Sequence, residues 1–418
     1  MRALVLTNNY PPHELGGYEL ICQDHVGWLR AHGWDVTVLT SSYGSDAGLS
    51  TGHSGESVAR ILDFHWRDFS HRRPSLVAAV RSERRQRHRL EEILESEPPG
   101  VAVVWGLAAI SKAILEVLHA HGIPMVAMVE EHWPIWDIDA DTWVGAWRRA
   151  RSRLPGCVWR AAGAVATNLV APVDVSEAMR ATLPVFVSRS LQRAIEASVP
   201  EWRGRGRVVS NGLDPDTYQR DRPDDESLAA PLRLLFAGRV EERKGLHTAV
   251  AALGDLVQNG AEAELTVVGR TDSAYAADVS RAVADTGLAG RVTWIDWVPR
   301  AEMPDVYRRH DVLVFPSIWE EPFGLVPLEA MATGCVVVAT GTGGSGEYLR
   351  DQENSLLFRP GDARGMADVV RRLLADPLLV SKLRRGGRET LTDYSFERFA
   401  DGLATAIADA APGHERKG

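Results

Sequence analysis

Short apolar runs separated by helix-spaced amphipathic stretches recur along most of the chain. Arg2-Ala3-Leu4-Val5-Leu6 opens it with a buried-strand pattern. A turn-rich loop through Pro11, Pro12, Gly16 and Gly17 follows, and residues 18–30 then carry Leu20, Ile21, His25, Val26 and Leu29 on one helical face. Gly33 ends that helix, and 35–39 reads as a second strand. Further strands are expected at 101–105, 124–129, 163–167 and 183–187. The same grammar restarts in the second half, with strands expected at 232–237, 263–268, 291–295, 312–315 and 335–339. Helices are expected near 246–256, 275–286, 302–308, 325–333, 362–374 and 394–410. Strands alternating with helices predict an α/β architecture of doubly wound parallel sheets, each covered on both faces.

Length and composition narrow this picture. At 418 residues the chain exceeds what one hydrophobic core organises, so two domains are expected. Polar, breaker-rich stretches at 201–206 and 221–231 place the change between about 200 and 230. The expected division is 1–205, 206–390 and a terminal 391–418 that ends in a flexible tail. A net charge of -9 argues against nucleic-acid wrapping. Cys22, Cys157 and Cys335 form no CxxC or metal spacing, which fits a reducing compartment. The apolar start is too short for a targeting segment, and no apolar run reaches the roughly 20 residues of a spanning helix. A soluble cytoplasmic protein is the expectation. The basic run Arg81-Ser82-Glu83-Arg84-Arg85-Gln86-Arg87-His88-Arg89 leaves peripheral membrane contact open, although Glu91, Glu92 and Glu95 favour a salt-bridged face.

In such sheets ligands bind at loops following the carboxyl ends of strands. After 312–315 comes Pro316-Ser317-Ile318-Trp319-Glu320-Glu321-Pro322-Phe323-Gly324-Leu325 and then a helix carrying Glu329. Pro322 suits the start of that helix, and the backbone N–H groups of Phe323, Gly324 and Leu325 would offer an anion or hydroxyl site. Glu329 is placed to take both hydroxyls of a ribose, and Glu321 those of a sugar. After 232–237 comes Gly238-Arg239-Val240-Glu241-Glu242-Arg243-Lys244-Gly245. Arg239 and Lys244 suit a diphosphate leaving group, with Arg243 left as surface charge.

Other loops offer weaker candidates. Gly16-Gly17 follows the first strand, where a backbone can approach phosphates, although the pattern is not GxGxxG. Glu130, Glu131 and His132 follow 124–129 and are candidate acceptor contacts or proton handlers. Thr340-Gly341-Thr342-Gly343-Gly344-Ser345-Gly346-Glu347 has glycine for close ligand approach, with Glu347 as a further candidate. Asp137, Asp139 and Asp141 fail as a calcium loop, since Thr142 replaces the turn glycine and Arg148 the closing acid; with Trp136 and Trp143 they are expected on the surface or lining an acceptor pocket.

Taken together, these residues resemble the retaining GT-B glycosyltransferases of family 4. The resemblance rests on Pro11-Pro12 with Gly16-Gly17, Asn211-Gly212-Leu213-Asp214, Gly238-Arg239 with Lys244-Gly245, Val267-Val268-Gly269, Glu321-Pro322-Phe323-Gly324-Leu325 through Glu329-Ala330-Met331, and Asn354-Ser355-Leu356-Leu357-Phe358 with Asp362. It implies two facing Rossmann-like domains around a cleft, with the last helix crossing back onto the first. Arg239 and Lys244 would hold the donor diphosphate, Glu329 the ribose, and Glu321 with the backbone of Phe323, Gly324 and Leu325 the transferred sugar. The acceptor would lie against the first half. No metal or other cofactor is implied, only a nucleotide-sugar co-substrate, with UDP the first choice and GDP or ADP as alternatives. The chain departs from many relatives where Glu130-Glu131-His132-Trp133 replaces a His-Asp-x-Trp-like sequence, which suggests a cationic amino sugar or aminocyclitol acceptor. The Ala- and Arg-rich composition resembles that of high-GC bacteria, where such enzymes build glycolipids, small thiols or glycosylated secondary metabolites. A glycolipid or polysaccharide precursor as acceptor, a phosphorylase or epimerase, and a non-catalytic nucleotide-sugar-binding protein are the competing expectations.

Overall fold

The computed structural model describes residues 1–411 except 14–15, 45–47, 68–69, 72–74, 152, 154, 219–221 and 272; at 66–67, 70–71, 137, 139 and 215 it describes the backbone alone. The chain forms two compact units. One comprises Met1–Val187, Leu191–Val209 and Ala400–Gly418, the other Ser188–Ser190 and Ser210–Phe399. The tail expected beyond 411 falls outside the described residues.

In the first unit the strands are β1 (Arg2–Leu6), β2 (Asp35–Ser41), β3 (Gly48–Thr51), β4 (Ser57–Leu62), the short pair β5 (Trp66–Arg67) and β6 (Ser70–His71), β7 (Val101–Val104), β8 (Met125–Val129), β9 (Leu183–Phe186) and β10 (Arg207–Val208). Eight of them make one sheet in the order β10-β9-β8-β7-β1-β2-β4-β3. It is parallel except for β3, which runs antiparallel to β4 at the edge. β7 and β8 are buried along their whole length, as strands covered on both faces must be. The chain progresses outward from β1 in opposite directions, so the loops after β1 and β7 meet at a switch in strand order.

The second unit has six parallel strands: β11 (Leu232–Ala237), β12 (Ala263–Val268), β13 (Val292–Ile295), β14 (Val312–Phe315), β15 (Val336–Ala339) and β16 (Leu356–Leu357). Their order is β13-β12-β11-β14-β15-β16, which puts the switch between β11 and β14. A buried carboxylate ties these two strands together. Asp311, just ahead of β14, accepts from the Arg222 guanidinium at 2.6 Å and from Arg233 of β11 at 2.8 Å. Burial alone would raise the Asp311 carboxyl, but these donors outweigh it and hold the group below its ordinary range.

One expected strand is a helix. Residues 163–167 lie inside Gly156–Leu169, whose Val165 and Leu169 are exposed. A five-residue apolar run cannot distinguish a strand from part of a helix, and flanking alanines favour the helix. The edge strand β3, with Leu49 among polar neighbours and every residue exposed, lacks the pattern that would announce it.

Two buried groups in the first unit oppose each other with pH. His25 lies beside the rings of Trp28 and Trp105, with centroids at 6.0 and 5.5 Å, and burial holds its imidazole down to about 3. Burial, and then Asp141, push Glu83 up to about 8 against the hydrogen bond that Ser111 donates at 3.0 Å. Below 6.5 the unfolded chain takes up a proton that folded His25 refuses, so stability falls toward acid. Between 4.5 and about 8 the unfolded chain releases a proton that folded Glu83 retains, so stability also falls as pH rises, and levels off above. Glu83→Gln is expected to flatten the alkaline limb by on the order of a few kcal/mol, read as a smaller loss of Tm between pH 6 and 9. An unchanged alkaline limb would exclude Glu83 as its source.

Candidate functional site

The site in the second unit begins with two loops at the switch between β11 and β14. Gly245 closes the first loop in the left-handed region, at φ 72°, and a Cβ there would collide with the carbonyl oxygen of Pro316. The two loops therefore touch backbone to backbone. That contact carries Lys244 to Glu321: the ammonium donates to Oε1 at 2.8 Å and Oε2 at 2.9 Å. Ser317 Oγ donates to Oε1 at 2.6 Å, and Glu321 is only 3% exposed. Burial lowers the Lys244 pKa more than Glu321 restores it.

Arg239 is half exposed and lies 3.2 Å from Glu241, which also takes the Arg243 guanidinium at 2.6 Å. Arg243 is more than the surface charge expected, because it lies over the Trp319 ring at 4.2 Å. The structure thus brings Arg239, Lys244 and Glu321 onto adjoining loops, with Lys244 and Glu321 in direct contact.

Beyond Glu321 the expected helix start is corrected. The helix is Val326–Ala332, with Pro327 in its first turn. Pro322 precedes it by four residues, and its carbonyl accepts from Ser188 Oγ at 2.6 Å. Phe323 is buried against Tyr348 and Tyr394, and the Gly324 carbonyl accepts the Tyr348 phenol. Among the described residues, the N–H groups of Phe323, Gly324 and Leu325 make no hydrogen bond. The glycines after β15 also have a different use from the one expected. A Cβ on Gly344 would strike the Pro322 carbonyl oxygen, and its N–H donates to the Glu321 carbonyl at 2.6 Å. Close approach there is to the protein's own Glu321–Pro322 backbone. Glu347, the acid at the end of that loop, is engaged by the N–H groups of Arg189 and Ser190 at 3.2 and 2.7 Å. Glu347 thus caps the backbone at Arg189 and Ser190.

Glu329 sits in a pocket of tyrosines that sequence reasoning missed. Tyr218 donates to Oε1 at 3.1 Å and Tyr307 to Oε2 at 2.6 Å. Burial raises the Glu329 carboxyl, while the two phenols and Arg300 oppose the rise.

In the first unit, Gly16 precedes the helix Gly17–Ala31, and its N–H donates to Glu19 at 3.0 Å. No heavy atom lies near where a Gly17 Cβ would stand. Glu130 and Glu131 follow β8, close enough to the first helix that, after burial itself and then Glu19, Glu130 raises the Cys22 thiol and Glu131 the Tyr18 phenol. His132 is buried, and its ring stacks on exposed Trp136 at 4.8 Å. Trp143 does not line a pocket: it is buried and donates to the carbonyls of Ala171 and Pro172. Asp141 is buried and accepts from the backbone N–H groups of Lys112, Trp143 and Val144. The side chains of Asp137 and Asp139 lie outside the described residues. Among the described residues no group of three His, Cys, Asp or Glu is placed to hold a metal ion.

The Lys244–Glu321 contact makes the two cations experimentally distinct. Lys244→Ala strands a buried carboxylate and should cost about 3 kcal/mol of stability, and Lys244→Met with Glu321→Gln should recover most of it. Arg239→Ala, at a half-exposed position, should change stability by no more than about 0.5 kcal/mol. Denaturant midpoints measure all three. Equal losses for Lys244→Ala and the double variant would show that the buried pair is not what the site protects.

Residues 217–390 match the family described as glycosyl transferases group 1. The chain is 36% identical over 217 residues to a 2-deoxystreptamine glucosyltransferase of Streptomyces kanamyceticus, which covers 50% of this chain and 55% of that protein. It spans about half the length of the curated relatives it matches. Among solved structures, sucrose-phosphate synthase from Thermosynechococcus elongatus aligns with TM-score 0.70 and 18% identity over 98% of both chains. Anabaena HepE in complex with UDP-glucose aligns with TM-score 0.70 and 18% identity, over 98% of this chain and 100% of that one. The fold is GT-B, and the match to glycosyl transferases group 1 lies within its second unit.

Proposed function

We propose that the chain is a retaining glycosyltransferase that moves a hexose or N-acetylhexosamine from a UDP-sugar to a hydroxyl of a small acceptor. The acceptor class is an amino sugar, an aminocyclitol or a related secondary metabolite. One observation carries the reading: Arg239 and Lys244 after β11 share the sheet switch with Glu321 and the unbonded N–H groups of Phe323, Gly324 and Leu325 after β14. Two cations and a run of backbone donors suit a diphosphate, and the acids Glu321 and Glu329 suit sugar and ribose hydroxyls. The group 1 match over this unit and the UDP-glucose complex of a structural neighbour support it.

In this mechanism the bond between the sugar's anomeric carbon and the diphosphate oxygen breaks while the acceptor oxygen bonds to that carbon on the same face. The acceptor's proton passes to the leaving phosphate. Arg239 and Lys244 stabilise the charge that develops on the diphosphate, which is their largest contribution in the transition state. Glu130, Glu131 and His132 are the proposed acceptor contacts. The relative named for 2-deoxystreptamine supports an aminocyclitol, because acids suit a polyamine. A membrane-linked acceptor, with a GDP- or UDP-sugar as donor, is the second reading. Exposed Val158, Val165 and Leu169, with Arg84 bonded to the Leu169 carbonyl, favour it.

Nucleoside-diphosphate release should be measured across UDP-, GDP- and ADP-sugars, with 2-deoxystreptamine, glucosamine and inositol as acceptors. Acceptor-dependent UDP release is expected, with the donor's anomeric configuration kept in the product. Arg239→Ala should lower kcat by about 100-fold. Donor binding without turnover with any acceptor would instead indicate a nucleotide-sugar-binding protein. Turnover only with anionic vesicles carrying a lipid acceptor would select the second reading.

A further inference from the structure

The tyrosine pocket around Glu329 bears on how the second unit distinguishes one nucleotide from another. Three separate segments build it: Tyr218 ends the short helix Pro215–Tyr218, Tyr307 lies in the helix Met303–Arg308, and Glu329 lies in Val326–Ala332. Both phenols are on nearly fully buried residues, and their rings meet edge to face at 6.3 Å. The Tyr307 carbonyl is itself engaged by the thiol of buried Cys335 at 3.0 Å. Each phenol donates to a different carboxylate oxygen, Tyr218 to Oε1 and Tyr307 to Oε2.

A carboxylate offers about four acceptor positions, two on each oxygen. With one position on each oxygen filled by a phenol, each oxygen retains one more. That remainder matches a vicinal diol, which needs one acceptor for each hydroxyl. The phenols also fix the plane of the carboxylate, because rotation about the terminal side-chain bond would break both hydrogen bonds.

We infer that Tyr218 and Tyr307 are positioning residues that lock the Glu329 carboxylate so that its remaining acceptor positions receive the 2′- and 3′-hydroxyls of a ribonucleoside diphosphate. Resting on the donor reading above, this makes the pair a determinant of selection for ribose over deoxyribose. Neither phenol touches the nucleotide in this arrangement. Their effect reaches the ligand through Glu329, so it should vanish when the ribose hydroxyls are removed.

The test is a ligand-deletion cycle by calorimetry, with UDP and 2′,3′-dideoxy-UDP as probes. The proteins are the full-length chain, Tyr218→Phe, Tyr307→Phe and Glu329→Gln. The full-length chain should prefer UDP by about tenfold or more, the worth of hydrogen bonds to a charged group. Each Phe variant keeps the ring and should reduce that preference by about threefold or more, with dideoxy-UDP affinity unchanged within about twofold. In turnover, KM for the donor should rise while kcat at saturating donor holds. If the Phe variants weaken both probes equally, the phenols serve only local packing and the inference fails. It fails too if they bind both probes as the parent does. If Glu329→Gln leaves the UDP preference intact, the ribose role of Glu329 falls, and the inference falls with it.

Discussion

The second unit depends on one close approach: the loop after β11 lies against the loop after β14 with no side chain between them. Gly245 permits it, since any Cβ would meet the Pro316 carbonyl. The same absence of a Cβ at Gly344 lets the loop after β15 lie on Pro322 from the other side. Glu321 is therefore held between two backbone contacts, and Lys244 reaches both of its oxygens. A buried ion pair is a poor way to gain stability, because desolvating both charges costs about as much as their attraction returns. A hydrophobic pair in that space would serve the fold as well. The pair stands at the switch of the sheet, where ligands bind in this architecture.

The two acids of the second unit have unlike surroundings. Glu321 is paired with a cation and a hydroxyl, whereas Glu329 is held by two phenols under a desolvation that raises its pKa. An ammonium neutralises its partner and can be drawn toward a second anion such as a diphosphate. A phenol donates a hydrogen bond without neutralising the charge, which leaves the carboxylate a strong acceptor. A cation thus faces the acid at the start of the segment, and two phenols face the acid eight residues later.

Much of this was legible in the sequence, for identifiable reasons. The strands of the second sheet are short apolar runs bounded by turn residues, and all five expected there form within a residue of their place. Arg239, Lys244 and Glu321 were legible because each follows a strand, and topology then brings strand ends together. The run at 163–167 misled because alanine and valine pack on a helix as readily as in a sheet. Tyr218 and Tyr307 could not be found, since they meet Glu329 across 111 and 22 positions and no local pattern marks either. The glycines at 343 and 344 were visible, but what approached them was not: a glycine-rich loop looks alike whether it admits a phosphate or a neighbouring carbonyl.

The first unit repeats the logic with different chemistry. Its strand order also switches beside β1, and the helix after β1 lies close enough to the loop after β8 for Glu130 and Glu131 to act on Cys22 and Tyr18. Here the residues at the carboxyl edge are acids and an aromatic-stacked histidine, not a cation pair. Carboxylates at such an edge repel phosphate and favour positive charge. Glu130-Glu131-His132-Trp133 is also where this chain departs from the family it resembles, so the acceptor contacts proposed for it are the part of the site that the resemblance does not supply. Arg239 and Lys244, proposed for the donor, lie among the residues that carry the resemblance.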